Sequence, residues 1–173
     1  MKPETLWLLT GIAGTLCVLV CLFCMMNKKN GLLTRLNGLQ QGFAMPDLRF
    51  HYKADALYTT LDAVGEEGKR LMLRFWCVDL ALICGMFAMM ATVTNNIATI
   101  PWIAAVMLWA NILRAAADVL EDVLLLIACA GYPAKKRPIP ANMAGVVTAV
   151  KWVAAVAWVA GMFLSLFLRG WSL

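Results

Sequence analysis

Seven polar side chains fall inside stretches that are otherwise apolar: Asp79, Asn111, Arg114, Asp118, Glu121, Asp122 and Lys151. An unpartnered charge in hydrocarbon costs at least a few kcal/mol, so such groups pair with one another or line a wet cavity. Two bases stand against four carboxyls here. The negative excess calls for bound protons or for water entering from one side. Two kinds of chemistry suit the set. One is a group of buried ion pairs that fixes helix register. The other is a polar site coupled to protons, ions or a ligand.

The spacing gathers these groups. At about 100° per residue, Asn111, Arg114, Asp118, Glu121 and Asp122 share one helix face roughly a quarter-turn wide. Arg114 and Asp118 are one turn apart and can pair within the helix. Lys151 shares a stripe with Ala154, Ala157 and Gly161, and small residues let helices approach closely. Lys151 is therefore expected to face other helices rather than lipid. Asp79 and Lys151 each lie roughly 12 Å from an expected helix end, and Glu121 and Asp122 about 15 Å from theirs. Three helices would thus bring charge to one level, with Lys151 pairing Asp79 or Glu121.

Other chemistries find less support. His51 is the only histidine, and no HExxH or paired CxxC spacing accompanies it, so no metal site is expected. No phosphate-cradling glycine loop or nucleophile elbow occurs, and no cofactor is expected. The segment holding Asp47, Arg49, His51 and Tyr52 is dense in charge and aromatic groups. It reads as an ordered lid over the helices or, alternatively, as a docking segment for partners or lipid headgroups. Cys17, Cys21 and Cys24 share one helix face, and Cys21–Cys24 is formally a CxxC. With four spans and this length, the pattern resembles the quinone-linked disulfide-forming membrane proteins. Those proteins need cysteines on the oxidising side and a second pair in an external loop. Here the external loop has none, and the cysteines read as small apolar residues.

The elements that must position these groups are long apolar runs. The chain has 173 residues, 62% hydrophobic and 14% charged, against about half and a quarter in soluble domains. Four spans are expected, at about 5–26, 71–94, 101–132 and 143–168. Asn95-Asn96 and Pro101 make spans two and three a tight hairpin. The cytoplasmic loop 27–70 is expected to hold one or two short interfacial helices. Leu32, Leu36 and Leu39 would form one apolar edge of the first, Ala54–Val64 the second, and Gly65 to Gly68 a turn. The fold class is all-α, an integral membrane four-helix bundle of one domain.

Charge sets the orientation. The 27–74 region holds Lys28, Lys29, Arg35, Arg49, Lys53, Lys69, Arg70 and Arg74, and the connector adds Lys135, Lys136 and Arg137. The opposite side has Lys2 and Arg169. The positive-inside rule places both termini outside a cell membrane. Trp7, Trp102 and Trp171 would mark the outer interface and Trp76 the inner one. The basic balance reflects this topology rather than nucleic acid.

Function is bounded but not named. The leading expectation is a non-enzymatic membrane protein, a subunit or a self-associating bundle, with lipids, other subunits or itself as partners. The alternative is a small transporter or channel-like oligomer that uses the charged cluster for coupling. A lipid-modifying enzyme comes third.

Overall fold

The computed structural model describes residues 2–171, apart from the side chains of Asp47 and Trp171. The expectations placed on those two side chains lie outside the described residues. Five α-helices and a 3-10 turn make up the fold, with no strand among the described residues. They are α1 (Pro3–Met26), α2 (Leu32–Leu39), the turn Pro46–Leu48, α3 (Ala54–Ile97), α4 (Pro101–Cys129) and α5 (Pro138–Trp171). Pro3, Pro101 and Pro138 each sit in a first helical turn, where the missing N–H is not needed and φ is preset. Pro138 starts α5 earlier than the apolar run alone indicates, and α4 ends at Cys129, short of Tyr132.

The expected turn falls at Gly65, where two helical segments, numbered together as α3, meet at a break in the backbone. Gly65 has φ 64° and ψ −164°, a backbone state closed to most side chains. The chain changes direction there and resumes helix at once, so Gly68 is helical and buried. Apolar residues on both sides explain why the helix resumes: Val64, Leu71, Met72 and Phe75 all enter one core.

Two apolar cores lie at opposite ends of the molecule. The first gathers Met25, Leu36, Met45, Leu57, Leu61, Leu71, Phe75, Trp76, Leu125 and Ala144 at the end bearing the 27–53 segment. The second, built from Met90, Ile103, Met107, Ala110 and Trp158, lies near the α3–α4 connection. Asp79 of α3, Arg114 to Asp122 of α4 and Lys151 of α5 occupy the stretch between the two cores. Trp158 Nε1 donates to Thr94 Oγ1 at 3.0 Å, and Gly14 packs against the backbone of Gly85 where α1 meets α3.

Two expectations at the first core need correction. Trp76 is 1% exposed, because its face of α3 turns inward, so it does not mark an interface. Leu36 is fully buried against α3, so the apolar edge of α2 serves the core and leaves only Leu39 well exposed.

The surface is inverted relative to a soluble protein. Trp102, Val106, Trp109, Leu113, Leu120 and Val123 of α4 are exposed, whereas Arg114, Asp118, Glu121 and Asp122 are buried. Phe23, Val153, Val156 and Phe163 are likewise exposed on α1 and α5. Helices α1, α3 and α5 are long and apolar enough to cross a membrane. This is the build of a helical membrane protein.

Candidate functional site

The site begins on α4. Asn111, Arg114, Asp118, Glu121 and Asp122 are all buried along its inward face, as i, i+3, i+4 and i+7 spacing requires. Arg114 Nη1 donates to Asp118 Oδ2 at 2.9 Å, one turn along the same helix. From α5, Lys151 Nζ reaches Asp118 Oδ1 at 2.8 Å and Glu121 Oε2 at 2.7 Å. Asp118 is therefore shared by two cations, and Lys151 bridges two carboxylates.

Small residues make this reach possible. Ala154 is buried beside Lys151, and Gly161 packs so closely that a methyl there would meet Met107 Cγ at 2.6 Å. The two helix backbones approach, and the lysine stem fills the space between them. Polar neighbours complete the shell of Glu121. The Thr148 hydroxyl lies within bonding reach of both Glu121 Oε1 and the Ala144 carbonyl. Its single proton favours the charged acceptor. The Tyr52 hydroxyl approaches the same oxygen at 3.4 Å.

Asp79 stands apart from these pairs. It is 8% exposed and faces a crevice of about 160 Å³, also lined by Arg114, Asp118, Lys151, Leu48 and Trp152. No hydrogen bond joins its carboxyl to another described residue. Lys151 is thus bonded to Asp118 and Glu121 rather than Asp79, because α4 is the close neighbour of α5 at this level. Arg114 Nε and Nη2 also lack a hydrogen-bond partner among the described residues. Asn111 lies one turn further along and donates from Nδ2 to the Phe87 carbonyl at 3.0 Å, tying α4 to α3.

The 45–53 segment folds over this layer. His51 Nδ1 meets the Gly145 carbonyl at 2.8 Å, the Ala54 N–H donates to Asn142 Oδ1 at 2.8 Å, and Tyr52 is 3% exposed. Gly145 permits the contact, since a methyl there would lie 1.9 Å from the Tyr52 carbonyl oxygen. Of the segment's described charged groups, Arg49 and Lys53 are both exposed.

A second polar group, which the sequence reading missed, closes the same end. Tyr58 and Tyr132 stack with centroids 5.0 Å apart, and Lys136 Nζ lies 5.4 Å and 5.9 Å from the two rings. Tyr132 donates to Asp62, Lys69 donates to the Tyr132 carbonyl, and the Arg137 N–H donates to the Tyr58 hydroxyl at 2.6 Å. The available signal was compositional: all three tyrosines of the chain lie near basic residues of the two loops. No group of three or more His, Cys, Asp or Glu suited to a metal ion occurs among the described residues. The described cysteines are free.

Comparisons with protein-family models, curated proteins and solved structures give no match.

Proposed function

We propose that the chain is a four-span membrane protein of the cell membrane whose buried charge layer joins its helices, and that it acts without catalysis as a subunit or self-associating bundle. The observation that carries this reading is α4. Its exposed side chains are apolar and its charged ones are buried, the arrangement a lipid-facing helix requires. Its 29 residues would extend about 44 Å, longer than a hydrocarbon core of roughly 30 Å. Helix α4 would then be the fourth span, with α2 at the cytoplasmic surface and both termini outside. Two of the four carboxylates are bonded to Lys151, the geometry of a helix clamp rather than of an exposed reactive group. Native mass spectrometry after extraction in mild detergent tests the reading. A stoichiometric membrane subunit or a homo-oligomer is expected, and a bare monomer overturns it.

The crevice beside Asp79 favours a second reading, a transporter-like bundle coupled to a proton or small ion. A carboxyl that makes no hydrogen bond to another described residue, beside unused guanidinium donors, would exchange a ligand more readily than the bonded pairs would. Reconstituted protein would then dissipate a pH or ion gradient, and Asp79→Asn would abolish the flux with little change in thermal stability.

A further inference from the structure

We propose that a groove between α1 and α3 binds one anionic phospholipid, its phosphate at Arg74 and an acyl chain along the groove floor. The groove holds about 610 Å³ and is lined by Phe23, Cys24, Leu73, Cys77 and Val78 toward its apolar end. Its other end is formed by Asn27, Asn30 and Arg74. Both helices become polar in the same direction, since α1 runs toward Asn27 while the antiparallel α3 runs back toward Arg74. The gradient from apolar floor to basic mouth matches the amphipathic character of an anionic lipid, with room for part of one acyl chain.

The acidic residues nearest the basic mouth in sequence pair elsewhere. Glu67 is taken by Arg35 at 3.5 Å and Glu66 by Lys69 at 3.9 Å. Arg74, and Arg70 one turn before it, make no ion pair with a described residue, and Lys28 and Lys29 follow Asn27 directly. Arg74 at the apolar slot, with Arg70, Lys28 and Lys29 near the lining residues in sequence, attracts an anionic headgroup, at about 1 kcal/mol for each basic residue near the surface. An apolar partner helix would leave these cations unmatched, which favours a lipid as the occupant. The inference rests on the membrane reading but not on the subunit assignment.

The test uses full-length protein in an uncharged detergent, titrated with phosphatidylglycerol or with phosphatidylcholine of the same chains. Native mass spectrometry should show one bound phosphatidylglycerol, preferred over phosphatidylcholine. Arg74→Gln should weaken that binding roughly fivefold, whereas Arg74→Lys should keep most of it. Lys135→Gln, exposed in the α4–α5 connector and not lining the groove, should change nothing. Bound phosphatidylglycerol should also slow maleimide labelling of Cys24 and Cys77 but not of Cys84, which lines a different surface. Equal affinity for both lipids, equal losses in Lys135→Gln and Arg74→Gln, or competition by soluble glycerol phosphate would each overturn the proposal. Displacement of the lipid by a co-purified helix would overturn it as well. A failure here leaves the oligomeric state untouched, so the two readings fail separately.

Discussion

Lys151 has two carboxylates within 2.8 Å, and removing a cation so placed strands charge in a low-dielectric interior. Lys151→Met is expected to cost about 3–5 kcal/mol of stability. Glu121→Gln or Asp118→Asn added to it should recover part of that loss, since each removes a stranded charge. Asp79→Asn should recover less, because the Asp79 carboxyl faces the crevice and is not bonded to Lys151. Thermal unfolding in detergent, read as double-mutant cycles, measures these couplings. Strict additivity of Lys151→Met with both Glu121→Gln and Asp118→Asn would refute the clamp. Much of this was legible beforehand. Helical spacing alone puts Arg114, Asp118 and Glu121 on one face, and the Ala154–Gly161 stripe aims Lys151 inward. Which carboxylate the lysine reaches was not legible, because that depends on the packing distance between helices rather than on depth along each.

The long helices follow from apolar periodicity, whereas the 45–53 segment does not, since its order comes from contacts distant in sequence. His51 and Tyr52 are held by Gly145 and Glu121 of other elements, and no local pattern announces that. Gly145→Ala tests the attachment. The added methyl would lie 1.9 Å from the Tyr52 carbonyl oxygen, so the segment must lift or α5 must shift, at about 1–3 kcal/mol. Limited proteolysis should then cut near Phe50 faster than in the parent protein, while α4 and α5 stay protected. Unchanged cleavage would mean that the segment is held elsewhere, with Tyr58, Tyr132 and Lys136 the next candidates. The break at Gly65, by contrast, was legible, since glycines flanking two glutamates mark a turn. The break is short, because the apolar residues on either side serve one core and helix has resumed by Gly68.

For the whole molecule, charge is asymmetric end to end. The 27–74 region and the 134–141 connector carry eleven of the 15 basic residues, and the structure brings these two regions together at the end formed by the first core. Lys136 covers Tyr58 there, and the Arg137 N–H donates to that tyrosine. The opposite end carries Asn95, Asn96 and Trp102 and no basic side chain of the α3–α4 connection. In a membrane this asymmetry predicts that the first end faces the cytoplasm. Cysteine placed at Asn37, exposed on α2, and at Asn95, exposed near the end of α3, reports the two sides in a background without the native cysteines. An impermeant maleimide added to sealed cells should label Asn95→Cys and leave Asn37→Cys unlabelled until the membrane is opened. Labelling of both from outside would remove α3 from the spans, because α3 is the one long helix between the two sites. Labelling of Asn37→Cys alone would invert the bundle and place the groove at Arg74 in the outer leaflet. The clamp at Lys151 would survive that inversion, since its bonds run between helices and do not depend on which side is cytoplasmic.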